Sequence, residues 1–441
     1  MSVSAYIYRV KRRFRLLETW FSKTGKSACI HTELPLKTNP SSIKRPYEMY
    51  SKTRFIELLQ LFPKAIFDQK VKQTQSDKHY KRFSSWHHLV AMIYGQLSEC
   101  KSLRELETSF NVHAPNHYHM GVAEIKRSTL SDANQMRSCS VFEAMCQTLI
   151  KGVHEKIQSE ATALLCLIDS SPISLRGQGY EWVREHKGGR VKGLKLHVQY
   201  LTDHEVPCDI HISDANINDV LYGRDIQIEP GRTYVFDKGY CDYNWWYKIN
   251  ESGSTFVTRL KKNAAVKTTA HRTVQSDHIL RDDEIEFRHT RQKKSRRNAY
   301  LGKTLRRIEV YRQTHSTPLV LVTNDLVSPA DELATLYRRR WEIELWFKWI
   351  KQRLKIKRFL GRSANAVKIQ VYVALITYLL LHQYRQLSGA KHPFYLWFLE
   401  LKTTLFESTQ LREKRHRIRT QMADPSPISQ ICIPMENYPG Q

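Results

Sequence analysis

Glycine (17) and proline (15) are scarce among the 441 residues, which excludes collagen-like and low-complexity architectures. No two of the eight cysteines form a CxxC pair, and no Cys/His cluster has the spacing of a zinc site. Cys166, inside ALLCLID, reads as a small core residue. Unpatterned cysteines of this kind suit a reducing compartment. The chain opens without a secretory signal, since MSVSAYIYRVKRRFRLLETW is basic and mixed. The most apolar run, VYVALITYLLL (371–381), is too short to cross a bilayer, which takes ~20 residues. A buried core helix is expected there, and no membrane partner. Acidic residues are the last shortage. Asp+Glu is 43 against Lys+Arg 70, a net charge of +27. That excludes an acid-rich solvating protein. It also exceeds the magnitude of roughly 2–8 that keeps a small domain soluble, so a polyanion, nucleic acid, is the expected partner.

Apolar residues make up 41% of the chain, enough for two or three cored domains. Residues 1–48 form no convincing unit and read as a poorly ordered or mis-annotated leader. Met49 stands just before the first clean helical pattern, so a start at Met49 is one reading. Over 49–158, FIELLQLF, WHHLVAMIYGQLSE, SLRELETSF and VFEAMCQTLIKGVHEKI carry apolar residues at three- and four-residue steps. Ser102, Ser128 and Ser131 are the cap signals between them. This is a small helical domain, either a DNA-binding module or plain helical packing. Over 159–260, ALLCLID, GLKLHVQYL, VPCDIHISD, RTYVFD and STFVTRL read as strands, with helices between the later ones. Residues 261–328 form a basic β-rich stretch holding Arg288, Arg291, Lys293, Lys294, Arg296, Arg297, Lys303, Arg306 and Arg307. Residues 329–412 are helical again, and 413–441 read as a loose tail.

Two carboxylates close two of the strand patterns. Asp169 follows LLCLI and Asp237 follows TYVF. End residues of apolar strands sit at a sheet edge where a site can open, although a turn or cap role is the more common use of such an Asp. The segment ELATLYRRRWEIELWFKWIKQRLKIKRF reads as one helix. At about 100° per residue, Tyr337, Arg340, Glu344 and Lys351 fall at roughly 0°, −60°, −20° and −40°, on one narrow face. Ile343, Phe347, Ile350 and Leu354 make the apolar stripe beside it, and Glu342 points elsewhere. A carboxylate flanked by a Tyr and two cations suits a metal ligand beside a phosphate, with Arg and Lys on the phosphate oxygens. A solvated face with i,i+4 ion pairs is the plainer reading; the adjacent Trp341 and Trp346 weigh against it. Lys238 and Tyr240, next to Asp237, are candidate DNA contacts. His197 reads as a satisfied strand residue or as a support to the site. Asp219 reads as the cap of helix NDVLYGRDI.

Tyr337-x2-Arg340-x3-Glu344-x6-Lys351 resembles the YREK signature of bacterial insertion-sequence transposases of the "IS-four" type, within the larger DDE class. Asp169 with the SSPISL that follows it (170–175), VKGLKLHVQY (191–200) and VFDKGY (235–240) are similar to that family's blocks around its first two acids. FIELLQLFPKAIF, FSSWHHLVAMIYGQLSECKSLRELE and STLSDANQMR resemble the helical N-terminal domain of one branch. The resemblance covers roughly 50–412. It implies an α/β, ribonuclease-H-like catalytic core with a β-rich insertion, preceded by an all-helical N-terminal domain. It implies that Asp169, Asp237 and Glu344 bind two Mg²⁺ ions, for which Mn²⁺ can substitute, and that Tyr337, Arg340 and Lys351 position DNA near the cut. The expected activity is cut-and-paste transposition of double-stranded DNA. Terminal inverted repeats are bound and cleaved, and the 3′-hydroxyl ends are joined to target DNA by a homodimer on paired ends. The expected place is the bacterial cytoplasm, on the nucleoid. Some relatives stack a Trp of the insertion on a flipped base during hairpin formation. This insertion has no Trp, and Tyr300, beside Arg296 and Arg297, is the aromatic candidate for stacking or else a core residue. A nuclease without strand transfer, or a silent DNA-binding descendant, are the alternative functions.

Overall fold

The computed structural model describes residues 52–78, 80–158, 164–183, 192–274, 276–292, 296–313, 315–354, 356 and 358–423. The leader 1–48 with Met49, the tail from 424, and Lys293 and Lys294 lie outside the described residues. The described residues form one compact unit.

The helical segment holds α1 (Arg54–Gln60), α2 (Lys64–Gln73), α3 (Ser85–Leu97), α4 (Leu103–Asn111), α5 (Ala114–Met120), α6 (Arg127–Met136) and α7 (Ser140–Gln158). Side-chain oxygens start three of them. Thr53, Ser84 and Ser102 accept from the N–H of Ile56, His87 and Glu105, satisfying donors that a helix cannot satisfy itself. Ser128 and Ser131, expected as caps, instead sit inside α6, whose N-cap is Lys126 with no side-chain bond.

The sheet begins with β1 (Leu165–Ser174), β2 (Gly193–Leu201), β3 (Val206–Asp214), β4 (Thr233–Phe236) and β5 (Thr255–Arg259), in the spatial order 3-2-1-4-5. β1, β4 and β5 are parallel, while β2 and β3 are antiparallel meander strands. This is the ribonuclease-H-like arrangement. The connections to β4 and β5 carry α8 (Asp219–Asp225) and α9 (Tyr243–Glu251), as parallel neighbours require a crossover.

The insertion does not stand apart from this sheet. β6 (Val266–His271), β7 (Ile279–Phe287), β10 (Leu305–Val310) and β11 (Leu319–Thr323) extend it through the β11–β5 pair, giving nine strands. β8 (Arg291–Gln292) and β9 (Arg296–Arg297) form a separate two-stranded ribbon. Part of the basic stretch is structural. Arg306 and Asp282 are both buried and pair through Nε–Oδ1 (2.8 Å) and Nη2–Oδ2 (2.7 Å). Asp283 takes Arg281 and Arg307.

The closing helices are α10 (Ala330–Arg339), α11 (Trp341–Arg353), α12 (Ala364–Leu387), α13 (Phe394–Thr403) and α14 (Thr409–Ala423). The single helix expected across Arg340 is therefore two. Arg340 caps both, and its N–H bonds the Tyr337 carbonyl only three residues back (3.2 Å). α10 packs on β4, β5, β7 and β10 whereas α11 packs on β1, so the joint lets each half follow its own part of the twisted sheet. Arg340 keeps right-handed helical dihedrals (φ −50°, ψ −28°), and the shared polar face survives the joint. The expected stripe of Ile343, Phe347, Ile350 and Leu354 is buried, as is Trp346, while Trp341 is exposed. The apolar run at 371–381 lies within α12, a 24-residue helix long and apolar enough to cross a membrane; 83% of its most apolar window is buried inside the protein. It packs against α3 and α7 and joins the helical segment to the rest of the core.

Candidate active site

Strand register brings the two aspartates together. In the parallel β1–β4 pair the last matched residues are Ile168 and Phe236. Asp169 and Asp237 are the next residue on each strand. Asp169 does not end its strand, as the sequence suggests, because β1 continues to Ser174 by pairing with β2, where Asp169 faces Val198. β4 stops at Phe236 and turns into a 3-10 segment, Lys238–Tyr240. That stop leaves Asp169 open on one side.

The third acid reaches the same place through Arg340. Its Nη1 donates to Asp169 Oδ2 (3.2 Å) and its Nη2 to Glu344 Oε1 (2.6 Å). Arg259, at the end of β5, donates to Asp237 Oδ1 through Nε (2.9 Å) and Nη2 (2.6 Å). The Tyr337 hydroxyl lies 3.4 Å from the same oxygen. Lys351 Nζ donates to Ser171 Oγ (2.6 Å) and to the Pro172 carbonyl (2.7 Å), next along β1. Asp169, Ser170, Ser171, Glu344, Lys348 and Lys351 line an open cleft of about 480 Å³.

Burial pushes the Asp169 carboxyl up to about 6, with the Glu344 and Asp237 charges adding to it and the Ser170 N–H and Arg340 opposing it. Burial also raises Asp237, but hydrogen bonds from Arg259 and the Lys238 N–H, with the Arg259 and Arg340 charges, outweigh it and hold this carboxyl below its ordinary value. Burial lifts the Tyr337 phenol to about 12, so it remains a donor at neutral pH. Among the described residues, no three His, Cys, Asp or Glu groups gather closely enough to hold a metal as they stand. Arginine occupies the space between the acids.

The remaining candidates divide. Lys238 is exposed beside Asp237. Tyr240 is only 1% exposed, packed against Phe236 and Trp245, and presents no face to DNA. Tyr300 is also 1% exposed, packed edge-on to Tyr247, Phe256 and Phe287. A stacking ring must be accessible, so the core reading of Tyr300 is the right one. Arg297 is exposed on the β8–β9 ribbon; the Arg296 side chain lies outside the described residues. His197 is buried, shares a hydrogen bond with Ser213 Oγ (2.8 Å) and stacks on Tyr222 (4.6 Å between centroids). Its buried Nδ1 makes no hydrogen bond among the described residues and lies 3.8 Å from Asp219 Oδ1, so this strand residue is satisfied at one nitrogen only.

Sequence reasoning missed two participants. Asp219 is not the cap, because Asn218 accepts from the Val220 N–H. Asp219 instead accepts from Ser170 Oγ (2.7 Å) and Lys195 Nζ (3.1 Å), beside Asp169. Arg259 could be found only from the strand register. β4 and β5 match Val235 to Val257, and two residues further on the same face are Asp237 and Arg259.

Comparison with known proteins identifies the family. Residues 160–380 match the family model of a transposase DDE domain, and 50–123 match a domain of unknown function, DUF4372. A protein of Sinorhizobium fredii named as transposase y4zB is 41% identical over 267 residues, covering 60% of this chain and 73% of that one. A protein of Geobacillus stearothermophilus, named as the transposase for insertion sequence element IS5377, is 26% identical over 219 residues, 49% of this chain and 55% of that one. One of Synechocystis, named for element IS4SA, is 25% identical over 264 residues, 58% and 70% of the two chains. The matched domain spans half of the chain and carries Asp169, Asp237 and Glu344. With these relatives it places the protein in a family of enzymes: this chain belongs to the DDE transposases of insertion sequences.

Proposed function

We propose that this transposase works by cut-and-paste, cleaving at the terminal inverted repeats of its element and joining the freed 3′-hydroxyl ends to target DNA. The observation that carries the reading is the placing of Asp169 and Asp237 side by side at the end of the β1–β4 register, with Glu344 drawn to them by Arg340.

DDE transposase domains generally use divalent metal ions. The donor set fits a hard cation, since all three groups are carboxylates and each is part-exposed. Asp169, pushed up to about 6 by burial and by its acidic neighbours, lacks counter-charge that a cation would supply. Asp169, Asp237 and Glu344 would hold Mg²⁺ or Mn²⁺. Two bound ions would activate the attacking group and neutralise the leaving oxygen.

The chain's own side chains do the rest. Arg340 presents a planar fork that matches a phosphodiester as well as the two carboxylates it now bridges. Lys351 and Lys348 line the same cleft and add charge for the strand entering it. Tyr337 donates from a phenol that burial keeps protonated. Lys238, exposed beside Asp237, and Arg297, exposed on the β8–β9 ribbon, would add further phosphate contacts. A homodimer holding both element ends, acting on nucleoid DNA in the bacterial cytoplasm, completes the reading.

The test is cleavage of a labelled duplex carrying the element's own terminal repeat, with and without Mg²⁺, followed by capture on a supercoiled target plasmid. Metal-dependent nicking at the repeat boundary with joined product, both lost in Glu344→Ala, is expected. Nicking without joined product would leave a nuclease. Binding without cleavage in either protein would leave a silent DNA-binding descendant.

A further inference from the structure

α6 departs from the usual make-up of a surface helix. Leu130, Ala133 and Asn134 are buried on its inner side, followed by Arg137 at its C-cap. At about 100° per residue its outer side carries Ser128, Ser131, Asp132 and Gln135 within roughly 100° of arc. All four are exposed. Serine and aspartate weaken a helix interior, because their side chains compete for backbone groups. The N-terminal end carries exposed Lys126 and Arg127 and no side-chain cap. Cations at that end oppose the helix dipole, and a phosphate there would satisfy both the charges and the open N–H groups.

The helix is held from three directions. Asn111, ending α4, exchanges two hydrogen bonds with the backbone of Ile125 (2.9 and 3.0 Å), fixing the chain that enters α6. Buried Arg137 donates to the carbonyls of Ser84 (2.9 Å) and Phe83, tying the far end to a segment where Lys81 and Arg82 are exposed. Asn365, in the first turn of α12, donates to the Asn134 carbonyl (3.1 Å) and accepts from the Cys139 N–H (3.0 Å). Further along α12, buried Gln370 accepts from the Leu360 N–H (2.8 Å) and donates to the Arg358 carbonyl (2.9 Å). That second clamp holds the segment leaving α11, where Arg358 and Arg362 are exposed.

We propose that α6 is the element that reads DNA sequence, lying in the major groove with Ser128, Ser131, Asp132 and Gln135 toward the base edges, while Arg358 and Arg362 hold the backbone between that groove and the acid-lined cleft. This rests on the transposase reading above. A carboxamide suits adenine, a carboxylate the cytosine amino group, and hydroxyls either pattern. The positive ends and the net charge of +27 supply the complementary field. Because Asn365 and Gln370 project from one helix, α12 fixes the distance from the bases read to the bond cut.

The experiment is selection from a random-sequence duplex library with the full chain, comparing wild type, Ser131→Ala/Gln135→Ala and Arg358→Ala/Arg362→Ala. The wild type should enrich one sequence. Ser131→Ala/Gln135→Ala should lower the ratio of affinities for that sequence and an unrelated duplex on the order of 10-fold, with the lost preference confined to adjacent base pairs. Arg358→Ala/Arg362→Ala should weaken both duplexes alike and reduce the salt slope by about one for each phosphate no longer neutralised. Enrichment of the same sequence at wild-type ratio by the α6 variant would overturn the proposal and leave the transposase reading standing. A wild type that enriches no sequence would overturn both.

Discussion

Replacing Asp169 by asparagine should stabilise the metal-free protein at pH 8. A carboxyl carried from its ordinary 3.8 to about 6 resists ionisation in the folded state. At about 1.4 kcal/mol per pH unit, holding it ionised at neutral pH costs about 3 kcal/mol. Its side chain is 18% exposed, so about 2 kcal/mol is the expected gain. Arg340 keeps Glu344 as its partner in the variant, so no buried charge is orphaned. The sign follows from linkage. With the folded pKa above the unfolded one, the folded state binds the extra proton, so this group stabilises below about pH 4 and loses that contribution as pH rises from 3.8 through 6. Asparagine mimics the protonated form. The gap between variant and wild type should therefore be near zero at pH 4 and full by pH 7. Urea unfolding in EDTA across that range measures it. A variant less stable than wild type at pH 8, or a gap that does not change with pH, would refute the argument that burial, with the neighbouring acidic charge, resists ionisation at this position.

Three other outcomes follow from the same structure. Arg340→Lys replaces a fork that touches two carboxylates with a single ammonium; Mg²⁺-dependent nicking should fall by about 10²-fold, the scale of a misplaced positioning group, and nicking at the wild-type rate would remove the bridge from the mechanism. Arg306→Ala leaves Asp282 buried without its partner and should cost about 3–5 kcal/mol, whereas Asp282→Leu/Arg306→Met should be much closer to neutral in the same denaturation assay. His88 is fully buried against Asn134, and burial brings its pKa down to about 3. The unfolded chain takes up a proton below about 6.5 that the folded one refuses, so stability is lost as pH falls from 6.5 toward 3; His88→Gln should gain about 3 kcal/mol relative to wild type between pH 7 and pH 4, read by urea unfolding.

The acids were legible because each follows an apolar run that breaks off in charge, and Glu344 because its spacing from Tyr337, Arg340 and Lys351 survives any smooth helix. Their meeting was not legible. It depends on the Ile168–Phe236 match between strands 68 residues apart, and a one-residue slip would turn one aspartate to the other face of the sheet. The joint at Arg340 was hidden because the residue stays helical in its dihedrals, so the apolar period runs through it undisturbed. Tyr240 and Tyr300 show the limit of composition. An aromatic beside basic residues reads the same whether its ring faces DNA or a core, and only packing against Phe236 or Phe287 decides. Asp219 lost its expected capping role to Asn218, one residue earlier and equally suited to it. The insertion was legible as strands, but its edge pairing with β5 is a tertiary choice.

Charge balance explains why arginine stands among the acids. Asp169, Asp237, Glu344 and Asp219 lie within one small region and would repel one another in the folded chain. Arg340, Arg259 and Lys195 each take up part of that charge. The pairing is incomplete at Asp169, whose carboxyl is displaced upward. Such a region carries much of its own counter-charge, and those cations are the groups best shaped for phosphate. A phosphodiester entering the cleft competes with the carboxylates for the same guanidinium donors. Every bond that Arg340 or Arg259 gives to DNA uncovers an acid, and an uncovered acid next to a phosphate demands a cation. On the proposed reading, DNA and metal ions therefore favour each other's binding through the arginines, by the reciprocity that any coupling between two ligands must obey.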